Sequence, residues 1–184
     1  ADPSAPAIRH FEVSGNRIEL KESLAGWGAS IGPLALGDVD GDGDLDLFVG
    51  GRCVAGRWPE PAASRFYINE GGKFRLEKEW PALGLVSGAT FGDLDGDGLP
   101  ELVLACEWSP IRVLTRRGGQ WTEITEQLGL AEFRGWWNGV ALGDFDGDGR
   151  LDVVVSNWGR NTLQQTHAAD EFRPQLSTPR PDVV

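Results

Sequence analysis

Aspartate stands at every second position from Asp38 to Asp46, in the stretch GDVDGDGDLDL, with Gly41 and Gly43 between them. Five carboxylates in nine residues repel one another in any compact loop. Alternating carboxylates spaced by glycine can instead wrap one small sphere, because glycine supplies the positive φ that so tight a turn needs. A hard cation with six to eight oxygen ligands at about 2.3–2.6 Å uses this supply, which points to calcium rather than zinc or copper.

The pattern returns twice, as GDLDGDGLPEL from Gly92 and GDFDGDGRLDV from Gly143. The first aspartates are Asp38, Asp93 and Asp144, spaced 55 and 51 residues apart. With these as position 1, positions 3 and 5 are Asp40 and Asp42, Asp95 and Asp97, and Asp146 and Asp148. Position 9 is Asp46, Glu101 and Asp152. Position 7 is Asp44, Leu99 and Arg150, a variation expected where only the main-chain carbonyl binds. These residues are the expected ligands of three structural Ca²⁺ ions. The alternative is a solvated acidic turn without metal, which three like copies disfavour. Three bound divalent cations move the formal charge from −11 to about −5 and compensate the repulsion.

An EF-hand loop also begins D-x-D-x-D-G, but it ends on a bidentate Glu at position 12 between helices. Position 12 here is Val49, Leu104 and Val155. The flanks LDLFVGG, ELVLAC and LDVVVSN are β-branched and leucine-rich and are bounded by turn residues, which predicts strands. Each loop is therefore expected to join two strands. The first repeat parses into strands at 31–37, 45–51, 65–68 and 74–77, the second into strands near 89–92, 101–105, 111–115 and 121–124. The third has strands near 139–143 and 151–155, and NTLQQT as a weak third. IRHFEVSGNRIEL at 8–20 aligns with 111–124, so the chain is expected to open on strands three and four of a repeat. The fold class is all-β: β-propeller blades of four antiparallel strands, about three blade equivalents with split terminal blades. Residues 1–7 are expected to be an N-terminal tail, 8–166 the propeller segment, and 167–184 a polar, proline-rich tail.

Composition narrows the partners. A net charge of −11 in 184 residues argues against nucleic acid or an anionic membrane surface. No apolar stretch is long enough to suggest a membrane span. Cys53 and Cys106 lack metal-ligand spacing, and a disulfide and two separate buried thiols both stay open.

The loops resemble FG-GAP/VCBS repeats, the calcium-binding blades of integrin α-subunit propellers and of many secreted bacterial proteins. The segment GWWNGVALGDFDGDGRLDVVVSNWGRNT at 135–162 further resembles bacterial propeller proteins of the ASPIC/UnbV and cartilage-acidic-protein type. The resemblance implies ligation by the carboxylates at positions 1, 3, 5 and 9 and the carbonyl at position 7. Glu101 for Asp, after Pro100, departs from the pattern and implies a differently shaped second site. Family members serve in adhesion, in carbohydrate or protein binding, and as domains beside enzymes, and they usually have more blades.

Connections on the face opposite the acidic loops hold Trp27, Trp58, Trp108, Trp136, Trp137 and Trp158, near Arg52, Arg134, Arg160, Asn138, Asn157 and Asn161. Aromatic platforms beside arginine and amide groups suit a glycan or protein ligand. The alternative is that the tryptophans wedge between blades. His10 and His167 sit in no nucleophile motif, and H-E-x-x-H does not occur. The expectation is a calcium-stabilised binding, adhesion or scaffolding module rather than an enzyme, with part of a polysaccharide-lyase propeller as the alternative. Its split blades suggest a homo-oligomer that closes the ring. Millimolar calcium places it outside the cytoplasm, as an extracellular, periplasmic or cell-surface protein.

Overall fold

A computed structural model describes residues 5–158. NTLQQT, the tail from His167, Arg160 and the candidate residue Asn161 lie outside the described residues.

Twelve strands and no helix occur among the described residues. They are β1 (Pro6–Ser14), β2 (Arg17–Ala25), β3 (Ala29–Gly37), β4 (Asp46–Val54), β5 (Ser64–Asn69), β6 (Phe74–Trp80), β7 (Leu85–Gly92), β8 (Glu101–Pro110), β9 (Arg112–Arg117), β10 (Gln120–Glu123), β11 (Arg134–Gly143) and β12 (Asp152–Asn157). All pairings are antiparallel. The hairpin β1–β2 stands first, then the four-stranded sheet β3-β4-β5-β6. β7, β8, β9 and β10 pair in sequence, and the hairpin β11–β12 follows. These are propeller blades, two whole and two half, in the order expected from the repeat. β1 begins at Pro6 and so takes in two residues assigned above to the N-terminal tail.

Strands four residues or more longer than expected account for one difference. β8 runs to Pro110, and its end pairs on its second edge with β11, through Arg134↔Pro110, Gly135↔Ser109 and Trp136↔Glu107. The second and third repeats are therefore stitched into one sheet at that end. The stitch lies where Glu107 is held by Arg52, whose Nε and Nη2 donate to its Oε1 at 2.7 and 2.5 Å.

The core follows from strand periodicity. Leu47, Phe48 and Val49 are consecutive in β4 and all buried, because successive side chains point to opposite faces and both faces are covered. Leu47 and Val49 join Tyr67 under Ile8 and Leu24 of the hairpin β1–β2. Phe48 turns the other way, with Phe66 and Ile68, onto Leu102, Leu104, Cys106 and Leu114. Val103, between Leu102 and Leu104, faces the third repeat, where Val140, Leu142, Val153 and Val155 pack on it. Each apolar cluster is thus the interface between two successive sheets, the arrangement of a stacked repeat.

Cys53 and Cys106 are both free thiols, so no disulfide joins them. Cys106 is buried and Cys53 half-buried, so only one of the two fits the expectation of buried thiols.

Candidate metal centres

Each acidic loop opens at the end of one strand and closes on the first residue of the next: β3 to β4, β7 to β8, β11 to β12. The glycines at positions 4 and 6 have φ of 77° and 93° in the first loop, 78° and 91° in the second, and 79° and 85° in the third. Only glycine adopts this backbone without strain, and the three loops share one conformation.

Position 1 organises the turn. The Asp38 carboxylate accepts N–H groups of Gly41 at 2.8 Å and Gly43 at 3.0 Å. Asp93 does the same with Gly96 and Gly98, at 2.7 and 2.9 Å, and Asp144 with Gly147 and Gly149, at 2.7 and 2.9 Å. These donors, Gly149 foremost, hold the Asp144 carboxyl below the usual carboxylate range. Position 9 closes the turn from the far end. Asp46 accepts the N–H of Val39, Glu101 that of Leu94 and Asp152 that of Phe145, each at 3.0 Å. Glu101 reproduces the contact of the shorter aspartate, so the substitution does not change the loop's closure.

Carboxylate oxygens converge in all three loops. Asp38, Asp40 and Asp42 form one group, Asp93, Asp95 and Glu101 a second, Asp144, Asp146 and Asp152 a third, with one oxygen of each residue within 4.8 Å of the others. Two oxygens on opposite sides of one calcium ion are about 5 Å apart, so each group fits a single ion. The donors are all carboxylate oxygens, with no imidazole or thiol, which suits a hard cation and not zinc. Among the residues that would hold such an ion, position 1 and position 3 recur in every group.

The remaining expected ligands are placed differently. Asp46 is fully buried, and its second oxygen accepts the N–H of Asn69 at 2.9 Å, so it braces the first loop against the β5–β6 turn. Burial pushes its carboxyl up from the ordinary value. Asp44 reaches the same turn, accepting the N–H of Gly71 at 3.0 Å. Asp97 is paired with Arg117 at 2.8 Å. Asp148 is paired with Arg150 at 2.5 Å, which lowers its carboxyl. The side chains of Leu99 and Arg150 offer no ligand oxygen, and their expected role rests on the main chain.

Arg117, on β9, is the residue that sequence reasoning missed. Its Nη2 lies 2.9 Å from Asp95, 2.8 Å from Asp97 and 3.3 Å from Glu101, a cation set among the carboxylates of the second loop. Its place at the start of the RRGGQ turn, equivalent to the NEGGK turn that braces the first loop, was the available signal.

The six candidate tryptophans divide into two groups. Trp27 donates its Nε1–H to the Ala63 carbonyl at 2.9 Å, and Arg65 lies 4.2 Å over its ring, so it packs beneath the first sheet. Trp137 packs in the third cluster and donates to Phe133. The other four form a ladder: Trp58 to Trp108 at 5.1 Å, Trp108 to Trp136 at 4.9 Å, and Trp136 stacked on Trp158 at 4.9 Å. The two middle rings are wedged between neighbours, and the terminal rings Trp58 and Trp158 are exposed. Asn138 donates to the Trp136 carbonyl at 3.5 Å, and Arg134, at the head of β11, is exposed.

A family model described as the FG-GAP-like repeat matches residues 38–104 and again residues 93–155. Each match starts at position 1 of one loop and ends in the strand that leaves the next. The match identifies the repeat and does not distinguish among the propeller proteins that share it. No curated protein matches the chain.

Proposed function

The chain belongs to the FG-GAP-like repeat family, and from that premise we propose that it is a calcium-stabilised binding or scaffolding module that works outside the cytoplasm. The observation that carries the reading is the threefold recurrence of one loop, with the same glycine backbone and converging carboxylates each time. Calcium is structural in this proposal. It neutralises oxygens that hold each loop shut and so fixes the first two strands of a blade. Among the described residues no helix is long and apolar enough to cross a membrane, and millimolar calcium outside cells suits open loop sites.

The ligand in this proposal is a glycan or a protein surface that takes the exposed rings of Trp58 and Trp158, beside Arg134 and Asn138. A glycan array and an acidic-polysaccharide turnover assay, both in calcium, test it. Binding lost in Trp158→Ala without turnover supports a binding module. Turnover of the polysaccharide would instead make the chain part of a lyase.

A further inference from the structure

The two sheet-to-sheet interfaces use one device. The residue two before each loop is a knob (Leu36, Phe91, Leu142), and the residue one before it is a glycine socket (Gly37, Gly92, Gly143). Phe91 of the second sheet covers Gly37 of the first: a Cβ there would lie 2.7 Å from the Phe91 ring. Leu142 of the third repeat covers Gly92, where a Cβ would lie 2.5 Å from Leu142 Cδ1 and 3.0 Å from Leu151 Cδ1. Knob and socket point in opposite directions along the stack, so each sheet offers one of each.

The two ends of the stack carry the unmatched halves. On the first sheet, the knob Leu36 is 55% exposed, and Leu34 and Leu45, the latter equivalent to Leu151, are exposed beside it. On the third repeat, the nearest described atoms to a Cβ at Gly143 are those of its own loop's Phe145, a residue 62% exposed. The equivalent of Phe145 in the first loop, Val39, is 1% exposed because the second sheet lies on it. Val154 of β12 is exposed on the same side as Phe145's sheet face.

The half-blades are complementary as well. The hairpin β1–β2 packs Ile8 and Leu24 onto the first sheet, yet its other face exposes Phe11, Val13, Ile18 and Leu20. β12 lies at the end of its sheet, with one edge unpaired among the described residues. Elsewhere in the chain, the equivalent edge pairs with a third strand, through Leu102↔Leu114, Val103↔Val113 and Leu104↔Arg112. The alignment of 8–20 with 111–124 translates this into Val153 opposite Phe11, Val154 opposite His10 and Val155 opposite Arg9. That register sends Phe11 to the side of Val153, toward the second sheet, and leaves His10 on the side where it already meets Phe74.

We propose that a second copy of this chain is the occupant of both ends: Leu36 and Leu45 of one copy seat on Gly143 and Phe145 of the other, and β12 pairs with the partner's β1 to complete a blade from two chains. The proposal rests on the blade-module reading above. The interface is head-to-tail, so it must close to avoid a filament. Two copies of residues 5–158 supply six blades, within the range of about four to eight that closes, and three copies of them would exceed it.

Sedimentation equilibrium in saturating calcium tests this, alongside Leu36→Asp and Phe11→Asp. Both residues are exposed in the single chain, so either variant should keep its calcium-dependent melting. The expected result is a mass of two chains for the native protein, and association weakened about a hundredfold in each variant, since either places a charge against an apolar face. A native protein that stays monomeric, or variants that associate as tightly as the native protein, overturn the proposal. A monomer that calcium still stabilises leaves the module reading intact, whereas a chain whose melting ignores calcium overturns that reading instead.

Discussion

The carboxylate of Asp46 accepts the main-chain N–H of Val39 at 3.0 Å, so the last acidic residue of the first loop closes it onto its second. Its other oxygen accepts Asn69 N–H, and the side chain is wholly buried. Position 9 is therefore a brace before it is a ligand. Asp46→Ala leaves two main-chain donors without their acceptor, and the expected cost is about 2–4 kcal/mol. Because these bonds form without a cation, chemical denaturation in chelator should show most of that loss. A variant as stable as the native chain in chelator would mean that the brace contributes nothing.

Position 1 should behave differently. Asp38→Ala, Asp93→Ala and Asp144→Ala each remove one converging oxygen and the acceptor of two loop glycines. Each should lose a share of the calcium-dependent rise in melting temperature. One site contributes about 2.7 kcal/mol when free calcium is a hundredfold above its Kd, and that share should disappear from the variant's calcium titration. Three variants with the native calcium response would contradict a metal role for the loops.

Arg117 places a fixed positive charge among Asp95, Asp97 and Glu101, where a calcium ion would also sit. The two compete for the same oxygens. Arg117→Gln should tighten calcium at the second loop by roughly fivefold while lowering the melting temperature in chelator, where the guanidinium compensates these carboxylates. Weaker calcium binding in the variant would show that Arg117 supports the ion rather than opposing it.

Acid should destabilise the chelated protein by a definable route. Arg112 Nη2 and Nε donate to Glu123 at 2.5 and 2.9 Å, which holds the Glu123 carboxyl below its ordinary value. A carboxyl depressed in the folded state adds stability above its unfolded pKa of about 4.3 and loses it as pH falls through the folded value. Asp144 and Asp148 shift in the same direction. Asp46, raised by burial, works oppositely: its contribution is present at low pH and is lost as pH rises through the raised value. Melting in chelator should therefore fall as pH drops below about 4.3, and Glu123→Gln should flatten part of that slope. An unchanged slope would remove the Arg112–Glu123 pair from the explanation.

Burial pushes the Cys106 thiol up to about 12, while Cys53 is partly open to solvent. A thiol reagent near neutral pH should label Cys53 in the native chain and reach Cys106 only on unfolding. Equal labelling of both in the folded protein would contradict the packing of Cys106 between the first and second sheets.

The loops and most strands were legible because they rest on local pattern. Glycine at positions 4 and 6 dictates the turn, and the apolar runs after it dictate strands buried on both faces. Glu107 and Trp108 were not legible as strand, since a charge, a polar residue and Pro110 read as the start of a loop. Arg52, 55 residues away, and β11 hold that segment in the sheet, with Trp108 at a φ of 54°, and no local periodicity reports either partner. Arg117 was missed for the same reason: its partners lie 16 to 22 residues away. Trp27, Trp58 and Trp158 lie on connections as expected, whereas Trp108, Trp136 and Trp137 lie within β8 and β11, and whether a ring stacks on a neighbour or on solvent depends on the packing of several strands. That is why Trp27 and Trp137 proved internal and Trp58 and Trp158 exposed.

The central claim is that three loops of one design each hold one calcium ion. Isothermal titration calorimetry of chelator-stripped protein with calcium measures it directly. The expected result is three ions per chain, falling to two in Asp144→Ala. A stoichiometry of zero or one in the native chain would contradict the claim and leave the acidic loops as turns held by their own main-chain hydrogen bonds.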